Sequence, residues 1–192
     1  MKADASGART ELFDRPSLAG LATADAIVAP SEEQTLIEAI DATDLSPFRF
    51  QGWLGKRLTL SYGWRYDFDT ARFGPADPIP KWLLPLRERA ASFARLAPDD
   101  LAQALLIRYD PGAGIGWHRD RPVFEHVIGV SLGAPATMRF RRRRASGFDR
   151  ASALLPPRSI YHLTGEARHE WEHSIADLEV TRWSITFRSL AF

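Results

Sequence analysis

Apolar residues along this chain change their spacing near residue 102. Before that point two stretches with helical spacing stand among short strand-like runs; after it the apolar residues come only in short runs cut by glycine and proline. Ala24 to Ala29 reads as a short apolar strand. Pro30-Ser31-Glu32-Glu33 then opens a helix through Ile40, with Ser31 as N-cap and two carboxylates in its first turn. Phe48 to Trp53 and Leu58 to Tyr62 pattern as paired strands with Gly55 at the turn between them. From Ile79 to Leu96 the positions Leu83, Leu84, Leu86, Ala90, Phe93 and Leu96 form a helical stripe that Pro98 ends.

Beyond Ala102 the runs Ala104 to Tyr109, Ile115 to His118, His126 to Leu132, Thr137 to Arg141, Leu154 to Tyr161 and Val180 to Leu190 predict strands of an antiparallel sandwich. The fold class that follows is α+β, mainly β. Its core is a double-stranded β-helix, or jelly roll, with helices buttressing one side and a mouth open between the sheets. The chain reads as a polar N-terminal arm (residues 1–20) and a single domain over 21–192, with a lid region near 50–78 and a jelly-roll core near 102–192. Arg141 to Arg144, before Ala145-Ser146-Gly147, reads as a charged hairpin tip.

Composition narrows the chemistry. The 192 residues contain no cysteine, so disulfides and thiolate ligands are excluded and any metal must accept N and O donors. The longest apolar runs fall short of a membrane span, and the first residues lack the apolar core of a secretory leader, so the expectation is a cytoplasmic protein, monomeric by default. The formal net charge of +1 conceals a gradient: residues 1–100 carry 12 basic and 15 acidic side chains, residues 101–192 carry 13 and 9. All five histidines lie in the second, positive half.

Among them, His118-Arg119-Asp120 is the most informative. On a strand, residues two apart share a face, so His118 and Asp120 can address one ion while Arg119 points away. A distant third imidazole would complete two His and one carboxylate on one side of an octahedron, an arrangement suited to non-haem Fe(II). By position alone His162, His169 and His173 compete for that role, and His126 opens a core strand. Near the end, Arg182 and Arg188 stand six apart in an apolar strand, where both can face inward; such arginines are costly unless paired.

An ordered set of motifs ties these features together: Arg108-Tyr109-Asp110-Pro111-Gly112-Ala113-Gly114-Ile115, His118-Arg119-Asp120, Val130-Ser131-Leu132-Gly133, Gly165-Glu166-Ala167-Arg168, Trp171-Glu172-His173-Ser174-Ile175 and Arg182 through Arg188. In these the chain resembles the AlkB family of Fe(II)- and 2-oxoglutarate-dependent dioxygenases over roughly residues 50–192. The resemblance implies His118, Asp120 and His173 as iron ligands, which also make up the catalytic centre. It implies Tyr109, Arg182, Ser184 and Arg188 as 2-oxoglutarate contacts, with Arg182 on the far carboxylate and Arg188 nearer iron. Ile107 and Ser184 stand where the family often has Asn. The implied reaction uses O2 to oxidise alkyl groups on DNA or RNA bases, as in DNA repair; hydroxylation of an N-methyl carbon releases formaldehyde. Tyr62-Gly63-Trp64-Arg65-Tyr66 resembles the family's aromatic lid, making Trp64 and Tyr66 the substrate-binding candidates. Repair members carry an acidic residue shortly after H-x-D, where this chain has Arg121-Pro122-Val123 with Glu125 farther on. The alternatives are the same oxygenase chemistry on a protein side chain or small molecule, and a non-catalytic jelly-roll binding module.

Overall fold

The computed structural model describes residues 18–50, 53–67 and 70–192. The first strand β1 (Leu21–Ala24) leads into helix α1 (Pro30–Asp41), strands β2 (Ser46–Phe50) and β3 (Trp53–Tyr62), and a small hairpin of β4 (Trp64–Asp67) and β5 (Arg72–Pro75). A 3-10 turn at Lys81–Leu83 feeds helix α2 (Leu84–Ala94). Strands β6 (Gln103–Tyr109), β7 (Ile115–His118), β8 (Phe124–Leu132), β9 (Ala136–Arg143), β10 (Phe148–Leu155) and β11 (Ile160–Leu163) follow. The chain closes with the short helix α3 (Gly165–His169) and strands β12 (Glu172–Ile175) and β13 (Arg182–Leu190).

The strands form a seven-stranded sheet in the order β1-β11-β8-β13-β6-β3-β2 and a four-stranded sheet in the order β10-β9-β12-β7, every pairing antiparallel. This is the expected jelly roll, and its larger sheet is buried on both faces. On the helix side, Leu106 of β6, Ile128 and Val130 of β8, and Ile185 and Phe187 of β13 pack with Leu36 and Ile40 of α1 and Leu86 and Ala90 of α2. On the inner side, Val127, Tyr161 and Leu163 meet Met138, Phe140 and Leu155 of the smaller sheet. Two-sided burial runs unbroken through β8 from Val127 to Leu132, whereas β9 alternates between core and surface. The same alternation sends Arg182, Ser184, Thr186 and Arg188 of β13 into the space between the sheets.

Several local expectations are corrected. The first strand ends at Ala24, because Ala26 adopts a positive φ of 56° that a strand cannot contain. Ala29, not Ser31, is the residue before α1, since Pro30 occupies its first turn, where the missing N–H costs nothing. Gly55 lies inside β3 rather than at a turn; the connection to β2 falls at residues 51 and 52, outside the described residues. The single run Leu154 to Tyr161 is two strands, β10 and β11, broken at Pro156-Pro157. The N-terminal arm falls largely on residues 1–17, also outside the described residues, while Leu18 is already buried in the inner core.

Candidate metal centre and its cleft

Strand pairing assembles the centre. His173 of β12 is the register partner of His118 of β7, which sets their imidazoles side by side with ring centroids 4.3 Å apart. Asp120, two residues beyond His118, turns its Oδ2 to within 3.6 Å of His173 Nε2. One ligand atom from each of the three lies within 4.8 Å of the others, so a single ion can reach all of them. Their protonation states suit that role. His118 Nδ1 lies 2.8 Å from the Gly116 carbonyl, which can only accept, so Nδ1 carries the proton and Nε2 keeps its lone pair. Burial lowers the pKa of His118, and burial together with the neighbouring His118 lowers that of His173 to about 3. Burial alone would raise the pKa of Asp120, but Arg188, His173 and His118 overcome it and hold the carboxyl well below the usual range. Two neutral imidazoles and one carboxylate therefore converge at neutral pH, as metal binding requires.

The oxygens of Asp120 have separate tasks. Oδ1 accepts from Arg188 Nε (2.8 Å) and Nη2 (2.7 Å), which leaves Oδ2 facing the imidazoles. Arg188 Nη1 donates to Gln103 Oε1 at 2.9 Å, and Gln103 Nε2 donates to the Trp64 carbonyl at 2.9 Å. A buried amide thus links the carboxylate ligand to the β4–β5 hairpin.

Deeper in, Arg182 is 1% exposed. Its Nη2 donates to Ser131 Oγ at 2.9 Å, while its Nε and Nη1 are buried without a hydrogen bond among the described residues. Burial lowers its pKa; Tyr109 and Tyr161 work in the opposite sense. A buried cation with two unused donors is costly by itself and matches an incoming carboxylate in both charge and shape. Tyr109 is its register partner, and the guanidinium carbon lies 5.3 Å from the Tyr109 ring. Ser184, on the same inner face, lies between Ser131 and Ile107. Tyr161 reaches this pocket because residue 129 is glycine; a Cβ there would come within 2.2 Å of the Tyr161 ring. Burial pushes the Tyr161 phenol up to about 12, so it remains a neutral donor.

The centre opens into a cleft of about 1570 Å³ whose lining includes Arg57, Tyr66, Arg121 and Arg188. Tyr66 forms part of the wall, with the Arg121 guanidinium 4.3 Å from its ring. Trp64 instead stacks on Phe73 within the hairpin, centroids 5.0 Å apart, and Phe73 meets Phe124 edge-on. Arg57 projects from β3 with its guanidinium 3.8 Å over Phe48, and burial depresses its pKa. From α3, buried Arg168 donates to the carbonyls of Arg121 and Phe124 and pins the loop that follows Asp120. The other histidines lie elsewhere: His169 pairs with Glu125 at 2.9 Å, and His126 and His162 bond to each other at 2.9 Å.

Of the residues singled out in the sequence, His118, Asp120, His173, Tyr109, Arg182, Ser184 and Arg188 share this one inner space, with Tyr66 on the wall and Trp64 in the hairpin stack. Gln103, Arg57 and Tyr161 were not singled out. Parity with Tyr109 along β6 was the available signal for Gln103, and the mid-strand glycine at 129 was the signal for Tyr161.

Comparison with known proteins agrees with this geometry. The pattern of the 2OG-Fe(II) oxygenase superfamily matches residues 32–188. The chain belongs to that superfamily. Within this oxygenase superfamily it is AlkB-like. It is 31% identical over 166 residues to the tRNA (carboxymethyluridine(34)-5-O)-methyltransferase alkbh8 of Xenopus tropicalis, covering 83% of this chain and 26% of that protein. To the alkylated DNA repair protein ALKBH8 homolog of Arabidopsis thaliana it is 29% identical over 185 residues, covering 83% of this chain and 51% of the relative. The chain thus spans about a quarter to a half of these relatives. The solved structure of OsALKBH1 superposes with a TM-score of 0.65 at 16% identity, covering 88% of this chain and 96% of that one, a likeness of fold. The cofactors of such an oxygenase are Fe(II), 2-oxoglutarate and O2. The residues present fit them: the His-Asp-His set offers the hard and borderline donors that Fe(II) takes, and Arg182 holds two unused buried donors for a carboxylate.

Proposed function

We propose that this oxygenase oxidises alkyl groups on nucleic-acid bases, so that an N-methyl group leaves as formaldehyde. The observation that carries the chemistry is the convergence of His118, Asp120 and His173 above a buried Arg182 whose unused donors await a carboxylate. Support for the substrate class comes from relatives whose names refer to tRNA and to alkylated DNA, and from a cleft wall that combines the Tyr66 ring with Arg57 and Arg121. Iron, when bound with 2-oxoglutarate and O2, supplies the oxidation: one oxygen atom enters the substrate C–H bond, and the other enters 2-oxoglutarate as it is converted to succinate and CO2.

The chain's own residues orient these partners. His118 Nε2, His173 and Asp120 Oδ2 hold the metal, and Arg188 fixes Asp120 so that its second oxygen stays turned inward. Arg182, with Ser131 and Tyr109 beside it, anchors the far carboxylate of 2-oxoglutarate, and Ser184 lines the same floor. Arg188 flanks the end nearer the metal. Tyr66 offers a face on which an extruded base can stack, and the hairpin stack through Trp64 and Phe73 keeps that face in place. Hydroxylation of an N-methyl carbon gives an N-hydroxymethyl group, which loses formaldehyde and restores the N–H.

The test is to incubate the Fe(II)-loaded protein with 2-oxoglutarate and single-stranded DNA or RNA carrying N-methylated bases, and to quantify succinate and formaldehyde. Equimolar release dependent on the methylated base is the expected result. Succinate alone, unchanged by any oligonucleotide, would refute the substrate class but keep the oxygenase. No succinate under any condition would refute both.

A further inference from the structure

The alternation that sends Met138 and Phe140 of β9 into the core turns Arg139, Arg141 and Arg143 outward onto the free face of the smaller sheet. Strand β10 adds Phe148 and Arg150, paired with Arg143 and Arg141; β12 adds Glu172 and Ser174, and β7 adds Trp117. Four arginines thus share this face with one carboxylate, Glu172, which bonds Arg141 Nε at 2.6 Å. Arg139, Arg143 and Arg150 are exposed and have no salt-bridge partner among the described residues. Arg150 sits directly across from Arg141, a like-charge pairing that Glu172 offsets at Arg141 alone.

The side chains are laid down on aromatic rings. The Phe148 ring has the guanidinium carbons of Arg141, Arg143 and Arg150 at 4.8, 5.8 and 5.9 Å, and the Trp117 ring has those of Arg141 and Arg139 at 4.5 and 5.3 Å. These cation–π contacts restrict the guanidinium groups before any ligand arrives, which lowers the entropy lost on binding. Trp117 and Glu172 also line the rim of the cleft, so the basic face begins at the mouth of the metal centre and crosses the sheet to β10, about 14 Å away.

We propose that this face is the track on which the phosphodiester backbone of a nucleic-acid strand lies when one of its nucleotides enters the cleft. This rests on the nucleic-acid reading above and adds the surface that holds the flanking nucleotides. Charge complementarity identifies the occupant. A molecule whose net charge is only +1 concentrates an excess of arginine on one flat face beside its active-site mouth. Arginines two apart on one strand are about 6.7 Å apart, comparable to successive phosphates of an extended strand, and the guanidinium fork matches phosphate oxygens.

The experiment measures binding and turnover of a methylated single-stranded oligonucleotide long enough to cross the sheet, and of the matching methylated mononucleotide, at several salt concentrations. The variants are R139Q/R143Q/R150Q and the charge-preserving R139K/R143K/R150K. Loss of three phosphate contacts weakens oligonucleotide binding of the glutamine variant at least tenfold and flattens its log–log salt slope by about two units. Its KM for the oligonucleotide rises while kcat is kept. Mononucleotide turnover and oligonucleotide-independent succinate formation stay at wild-type values, and the lysine variant keeps the wild-type salt slope. An oligonucleotide affinity and slope unchanged in the glutamine variant, with the wild type turning over the same oligonucleotide, overturn the track alone. A wild type that turns over neither nucleic-acid substrate overturns the substrate class and the track together. Displacement of the oligonucleotide by polyglutamate as readily as by unmethylated polynucleotide assigns the face to acidic protein and also overturns the proposal.

Discussion

Asp120 shows how one side chain can serve two partners: Oδ1 belongs to Arg188, and Oδ2 faces the two imidazoles. Asp120→Ala is therefore expected to lower iron affinity by more than about 100-fold, leaving two neutral donors beside an unpaired guanidinium. Metal content after dialysis against limiting iron checks this; wild-type occupancy would contradict the ligand assignment. At Arg182 the expectations for binding and stability have opposite signs. Arg182→Met should weaken 2-oxoglutarate binding by about 100-fold, roughly 3 kcal/mol, since paired charge-assisted bonds are lost. The same change removes a buried cation with two unused donors, so without 2-oxoglutarate the variant should unfold about 1 kcal/mol later than wild type. Calorimetric titration and denaturant unfolding measure the two effects separately. His118 with Asp120, and Arg182 with Arg188, were legible as pairs because an even spacing along extended chain fixes which face a residue joins; His173 was set apart from His162 and His169 only by the motif resemblance around it. The partners that complete the pocket were not legible. Gln103 and Tyr161 reach it from strands whose register with β13 and β8 no local pattern states.

At the scale of elements, β6, β7, β8, β9 and β13 were readable, whereas β10 was met only at its last residues and the four-residue β12, with Glu, His and Ser among its side chains, was missed. The reading failed where turn chemistry decides. Ala26 bends the backbone before α1, Pro156-Pro157 divides β10 from β11, and the five-residue α3 is too short for a periodic signal. The β4–β5 hairpin was legible as aromatic, but the division of labour within it was not, since Trp64 packs on Phe73 while Tyr66 lines the cleft. The Gln103 bridge is one of the ties that hold this hairpin to the barrel, beside the Phe73–Phe124 contact. Gln103→Leu is expected to leave iron content unchanged, raise the KM for the oligonucleotide and speed proteolysis within residues 64–75, as the Trp64 carbonyl and Arg188 lose their shared partner. Wild-type proteolysis and KM would show the bridge to be incidental. Strands β8 and β11 carry a second device, the His126–His162 bond. Burial first, and then His126, lower the pKa of His162 to about 4 from 6.5. The unfolded chain therefore takes up its proton first. The stability contributed by neutral His162 is complete above about pH 6.5 and is lost as pH falls toward 4. His162→Gln should flatten the fall in unfolding free energy across that window, and parallel pH profiles for the two proteins would refute the assignment.

For the molecule as a whole, helices on one side and a second sheet on the other enclose the larger sheet, and the groups that would touch cofactor hang from strands tied into that frame, except Asp120, which lies two residues beyond the end of β7. The carboxylate ligand already has a permanent counter-charge in Arg188, and His118 is oriented by the Gly116 carbonyl. Stripping the iron with a chelator is accordingly expected to lower the melting temperature by only a few degrees, in contrast to small metal-nucleated domains that unfold outright. A cooperative transition lost on chelation would disprove this. Because the resident guanidinium does the neutralising that a metal would otherwise have to do during folding, synthesis and metallation become separable events: such a chain can mature, persist and wait, then be charged with iron when supply returns.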